Sequence, residues 1–241
     1  MLQKTRGIVL HHIKYSESSI IAYIYTEEFG RQSYMINGIR GKNSSMRLNM
    51  FQPLVLLEME VYQKSGRGLQ RIKEIKNAAP YHSIPFDVLK STISLFLAEI
   101  MYKSLQEEVA NKQLFDFLFH SFLLLDTLDK NIANFHICFL IHLARFLGFP
   151  PQNNYNEENQ YFDLFEGSFV SLIPPHSHFI DKNNSTFFNE LLKQPFAQST
   201  SILLSQDNRR SLLDGLVIYY QLHLISQREV KSLNVLKSVF E

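Results

Sequence analysis

The sequence predicts an α+β, multi-domain chain: a small five-stranded β-barrel over residues 1–80, followed by an α-helical domain over 81–241 with an irregular insert around 152–184. Three observations predict it. Apolar residues recur at period two as far as about residue 77 and at helical spacing beyond Pro85. Pro80 and Pro85 bracket the change. Charge divides at the same place: the first eighty residues hold twelve Lys and Arg against six Asp and Glu, a net of +6, while the remaining 161 hold twelve against seventeen, a net of −5. A basic head of this kind suits a polyanion.

The strands are read in order. Residues 5–13 alternate, with Val9, His11 and Ile13 on one face and Ile8, Leu10 and His12 on the other. Residues 19–26 are β-branched and aromatic, and Glu27-Glu28-Phe29-Gly30 reads as the hairpin turn into 31–39. Residues 54–62 place Val55, Leu57, Met59 and Val61 on one face and Glu58, Glu60 and Tyr62 on the other. Gly66 and Gly68 turn the chain into a fifth strand over 69–77. Five short strands joined by turns favour closure, which removes sheet edges.

The helical half follows. Ile93, Phe96, Leu97, Ile100 and Met101 form one stripe, with Asp87 as its cap. Residues 114–128 and 135–147 are further helices, and Gly148, Pro150 and Pro151 stop the second. Residues 187–192 read as a short helix. Asp207 or Asn208 caps a long one striped by Leu213, Leu216, Val217, Tyr220 and Leu224, and 231–240 is the last.

Composition narrows the classes. With 45% apolar and 20% charged residues the chain can bury a core. Its one cysteine, Cys138, excludes an intrachain disulfide and a cysteine-rich zinc site. The start has no signal-peptide pattern, and no run of about eighteen uncharged apolar residues exists to span a membrane; the cytoplasm is the expected compartment. His176 and His178 near Asp181 lack a third ligand, and adjacent His11 and His12 point to opposite faces. No metal, cofactor or enzyme is expected, because no nucleophile motif or acid/base couple stands out.

What stands out is cationic. Gly38 to Ser44 misses phosphate-loop spacing and context, but it leaves Arg40, Lys42 and Arg47 spaced to reach several phosphates. The plainer alternative is a solvated charged loop. Repetition of the sign at Lys64, Arg67, Arg71, Lys73 and Lys76 favours salt-sensitive phosphate binding. Tyr15, Tyr23, Tyr25, Tyr34 and Tyr62 are interleaved with these charges. Each is either ordinary strand packing or a platform for unpaired bases.

These parts, in this order, resemble a known family. Gly7-Ile8-Val9-Leu10, Tyr15-Ser16-Glu17-Ser18, Tyr25 to Arg31, the basic 38–42 stretch with Arg47, and Phe51-Gln52-Pro53-Leu54 match its head. Tyr219 to Leu224 and Lys231 to Leu236 match its end. The family is that of the bacterial recombination mediator RecO. The resemblance implies an oligonucleotide-binding (OB) barrel, binding of single- and double-stranded DNA, strand annealing, and assistance in loading RecA onto strands coated with single-strand-binding protein. RecR and the acidic C-terminal tail of single-strand-binding protein are the partners it implies. Many members carry a four-cysteine zinc module; Tyr161 to Gly167 stands in that region without a cysteine and resembles the zinc-free version.

The expected DNA contacts are therefore Arg40, Lys42, Arg47, Lys64, Arg67 and Arg71. For the acidic tail a cation beside an apolar pocket is needed; Arg145 and Lys231 are the candidates, with Arg228 the weaker third. The rival function is a protein-interaction adaptor whose barrel binds no nucleic acid.

Overall fold

The computed structural model describes residues 1–38, 48–64, 66, 68–225 and 229–240. The chain divides into two compact units, Met1–Thr127 and Leu128–Glu241.

The first unit is built on strands β1 (Leu2–Lys14), β2 (Ser19–Thr26), β3 (Gly30–Asn37), β4 (Leu56–Tyr62) and β5 (Gln70–Asn77). They close into a barrel in the order β1-β2-β3-β5-β4. Every pair is antiparallel except β3–β5, which is parallel and joins only Tyr34 to Gln70 and Met35 to Arg71. Leu57, Met59 and Val61 point into the core as their alternation requires, and meet Val9, Ile20, Ala22, Ile24, Tyr34, Ile36 and Phe51 there.

One expectation about β1 fails. Its register shifts between Val9 and His11, so the strand bulges at Leu10 and the alternation reverses. Val9 stays in the core, but His11 comes to lie outside, opposite Tyr23, while His12 pairs with Ala22 and its Nδ1 sits 2.9 Å from the Phe51 carbonyl oxygen.

The switch to helical period at residue 80 does not coincide with the division between units, because two helices go with the barrel. Helix α1 (Val88–Ser104) is capped by Asp87, whose carboxylate accepts the Lys90 N–H at 2.9 Å. Helix α2 spans Lys112–Thr127. Its Asp126 accepts backbone N–H bonds from His82, Ser83 and Ile84, which fastens the linker from the barrel. At the other end Arg31 of β3 donates to the Tyr102 and Leu105 carbonyls. Gly30 lets the hairpin meet the loop after α1: at φ +63°, any Cβ there would lie 2.5 Å from the Val109 carbonyl oxygen.

The second unit begins with a 3₁₀ turn (Ile132–Asn134) leading into α3 (Phe135–Phe146). The segment read as irregular carries three short strands, β6 (Tyr161–Asp163), β7 (Ser168–Val170) and β8 (Phe179–Ile180), in the order β7-β6-β8. Strands of two or three residues show no period, and side chains hold them. Asn154 both donates to the Phe169 carbonyl and accepts its N–H along the β7 edge. Ser185 bridges the Phe162 N–H and the Ile180 carbonyl.

Helix α4 (Lys182–Lys193) starts five residues earlier than its pattern suggests, capped by Asp181. Helix α5 (Phe196–Ser199) is one turn. Helix α6 (Gln206–Tyr220) is capped by Ser205 rather than Asp207 or Asn208, and continues as a π-helical turn through Gln221–Ile225. Helix α7 (Ser232–Val239) closes the unit.

Candidate nucleic-acid interface

Cross-strand register sorts the barrel's basic residues. The outward residues of β1, β4 and β5 form three rows. In the first, Arg6 faces Glu58, which faces Lys76; in the second, Lys4 faces Glu60, which faces Glu74. Carboxylates neutralise both rows. Lys76 pairs with Glu58 at 2.7 Å, and Glu60 takes Lys73 at 3.0 Å and Lys4 at 3.8 Å. The Lys73 hydrogen bond is the main reason the Glu60 carboxyl is held below its ordinary pKa. Arg6 turns instead to Glu27, donating to both carboxylate oxygens at 2.8 and 2.9 Å.

The third row differs. Leu2 faces Tyr62, which faces Arg71. It contains no carboxylate, and Lys64 follows immediately on the same rim. Tyr62, Lys64, Leu69, Gln70 and Arg71 line a cleft of about 530 Å³. Lys64 and Arg71 are exposed and, among the described residues, have no ion-pair partner.

The turn carrying Lys64 is braced by Gln70. Its carboxamide accepts the Lys64 N–H at 3.1 Å and donates to the Lys64 carbonyl at 2.9 Å, as a neighbouring strand would. Gly66 takes φ +74° in open space. The positive φ, not crowding, calls for glycine here.

Of the six expected DNA contacts, the fold brings Lys64 and Arg71 together in this cleft. Arg40, Lys42, Arg47 and Arg67 lie outside the described residues. Lys73 and Lys76 belong to the neutralised rows.

The tyrosines sort as sharply. Tyr25 and Tyr34 are buried, Tyr34 inside the barrel core. Tyr23 packs edge-on to Tyr102 and beneath the Arg31 guanidinium. Tyr15, 62% exposed, and Tyr62, 45% exposed, remain open. Sequence reading missed Gln70 and Leu2, whose roles appear only once the register is known.

The histidines do not gather into a metal centre. His176 Nε2 lies 3.3 Å from Asp163, and the His178 N–H faces His176 Nδ1 at 3.3 Å. Asp181 is spent on α4. Burial raises its carboxyl, but hydrogen bonds from Asn184 and Asn183 outweigh this and leave it below the ordinary value. Among the described residues no group of three or more metal-binding side chains occurs.

In the second unit, Arg145 donates to the Leu192 carbonyl at 3.2 Å, near the C-terminus of α4. Lys231 flanks the start of α7 and is exposed. Arg228 lies outside the described residues.

A closed five-stranded barrel continued by a helical region places this chain among OB-like barrel proteins with a helical C-terminal region. Two family descriptions match this chain: "Recombination protein O N terminal" over residues 1–81 and "Recombination protein O C terminal" over 85–233. It is 40% identical over 242 residues to the DNA repair protein RecO of Bacteroides fragilis and 39% over 240 to that of Phocaeicola vulgatus, with 100% of each chain covered. It is 38% identical over 238 residues to the protein of that name from Flavobacterium psychrophilum, with 98% of each covered. The chain belongs to the RecO family. The family role is non-catalytic. Among the described residues no helix is long and apolar enough to cross a membrane.

Proposed function

We propose that this chain binds single- and double-stranded DNA on the rim around Lys64 and Arg71, anneals complementary strands, and assists RecA loading onto strands coated with single-strand-binding protein. The observation that carries the reading is the partition of charge on the barrel. Two outward rows are closed by glutamates, and the row ending in Arg71, next to Lys64, has none. Arg40, Lys42, Arg47 and Arg67 belong to the same proposed contact set.

The mechanism needs no covalent step. Phosphates held by Lys and Arg release their counterions, and strand–strand repulsion falls. Two strands brought to one cationic surface then find their pairing. RecR and the C-terminal tail of single-strand-binding protein are the proposed protein partners, in the cytoplasm at the nucleoid. For the tail, Arg145 and Lys231 are the proposed cations on the second unit.

Annealing of complementary oligonucleotides, with and without single-strand-binding protein, tests this directly. Acceleration that is lost in Lys64→Glu/Arg71→Glu supports it. An unaltered annealing rate in wild-type protein removes it and leaves a protein-interaction adaptor. A tail peptide that binds Arg145→Ala and Lys231→Ala as tightly as wild type removes those two residues from the tail site.

A further inference from the structure

We propose that Tyr62 is a base-stacking platform that lets this rim select unpaired DNA over duplex. The inference rests on the DNA-binding reading and deepens it: lysines and arginines grip any phosphate chain, whereas an open aromatic ring recognises only a base that has left its stack.

Position singles out Tyr62. Three of the five barrel tyrosines are consumed by packing, as described above. Tyr15 is open but lies in the bend between β1 and β2, next to Glu17. Tyr62 lies on a strand, held in register by Leu2 on one side and Arg71 on the other. Its ring is nearly half exposed, and among the described residues no other ring or guanidinium stacks on it.

Chemistry agrees with position. The row Leu2–Tyr62–Arg71 sets an apolar group, an aromatic face and a cation side by side, the order that meets a base and its flanking phosphate. Lys64 supplies a second cation across the same cleft. Gln70 is the positioning residue: its paired hydrogen bonds to Lys64 fix the turn beside the ring. In a duplex every base face is covered by its neighbours, so the ring gains nothing there.

Anisotropy titrations with a labelled oligothymidylate, an abasic deoxyribose-phosphate oligomer of equal length, and a duplex test this. Wild-type protein should bind the base-bearing strand about five- to a hundredfold more tightly than the abasic one. Tyr62→Ala should bring the two to near parity, Tyr62→Phe should keep the preference, and neither should alter duplex affinity or the salt slope. Tyr62→Leu is the second variant: it keeps an apolar side chain on β4 and removes the aromatic face, so it too should lose the preference. Equal wild-type affinity for both strands, with a steep salt slope, overturns stacking and leaves DNA binding intact. A preference that survives Tyr62→Ala or Tyr62→Leu overturns the assignment to Tyr62. Failure to bind any of the three polymers in dilute buffer removes the DNA-binding reading itself.

Discussion

Arg31 and Tyr102 meet twice. The Arg31 Nη1 donates to the Tyr102 carbonyl at 3.0 Å, and the guanidinium carbon lies 4.7 Å from the centroid of the Tyr102 ring. The same nitrogen reaches the Leu105 carbonyl at 2.9 Å. Carbonyls at a helix C-terminus have no partner within the helix, and a cation there also answers the helix dipole. A barrel strand thus supplies the C-terminal cap of α1. Arg31→Ala removes both bonds and the contacts with the Tyr23 and Tyr102 rings, and a loss of about 2–4 kcal/mol is expected. Arg31→Lys should recover part of it, since lysine keeps the charge but not the planar fork. Urea midpoints at an unchanged slope measure this. A loss under about 0.5 kcal/mol, the level of an ordinary surface substitution, would show that the cap is decorative.

Asp126 fastens the opposite end of the same pair of helices. Its carboxylate accepts three successive backbone N–H bonds, and Lys90 donates to its carbonyl at 2.9 Å and to Ser83 Oγ at 2.6 Å. Burial raises the Asp126 carboxyl, but the three amide bonds outweigh it and hold the pKa below the usual value. A carboxyl depressed in the folded state adds stability that is full above the unfolded pKa, about 4, and lost as pH falls through the folded value. Asp126→Asn is therefore expected to cost about 2–4 kcal/mol at pH 7. The gap should narrow at pH 3, which lies below the unfolded pKa of about 4, because the unfolded wild-type chain then takes up a proton at this carboxylate. Urea midpoints at pH 7, 5 and 3 measure it, and a gap that stays constant to pH 3 contradicts the assignment.

The parts of this fold that were legible in the sequence are those set by local period. Leu57, Met59 and Val61 could alternate only toward a core, and Asp87 before an apolar stripe could only begin a helix. The parts that were not legible depend on pairing between distant segments. The bulge at Leu10 leaves no mark, because residues 5–13 alternate straight through it. Lys73, Lys76 and Arg71 look alike along β5, and only the register shift between Glu60 and Val61 decides which meets a glutamate. Arg31 has no local sign of its role, since its carbonyl partners lie more than seventy residues away. The candidate site was thus visible as a cluster of charge, while its division into neutralised and open rows was not.

Two histidines, His136 buried and His142 half-buried, give the second unit its own acid sensitivity. Burial pushes His136 down to about 3, with Arg209 adding to it, and pushes His142 down to about 4, with Arg145 adding. Both are neutral in the folded state at pH 7, whereas unfolded histidine takes a proton near pH 6.5. The unfolded chain therefore binds more protons as pH falls below about 6.5, and stability is lost from there down to the folded values. This window lies above the carboxylate one, so the two are separable. At full development each histidine contributes a slope of up to about 1.4 kcal/mol per pH unit. Between pH 7 and 5 the wild type should weaken, and His136→Leu should weaken less steeply. An equal slope in both would place the acid sensitivity elsewhere.

Charge partition on the barrel makes the sharpest distinction between residues that look equivalent in the sequence. Lys64 and Arg71 are exposed without an ion-pair partner among the described residues, whereas Lys73 and Lys76 are engaged by Glu60 and Glu58. Each cation that neutralises a phosphate contributes about 0.7 to the slope of log K against log salt on a single strand, and about 0.9 on duplex. The double variant Lys64→Ala/Arg71→Ala should flatten the single-strand slope by about 1.4. Lys73→Ala/Lys76→Ala removes the same formal charge but leaves two glutamates exposed. It should weaken binding through general repulsion, while changing the slope far less. Anisotropy titrations from about 50 to 200 mM salt, the range over which phosphate contacts weaken markedly, read both quantities. If the two double variants flatten the slope equally, binding follows net charge alone, and the register of β1, β4 and β5 plays no part in selecting the contacts.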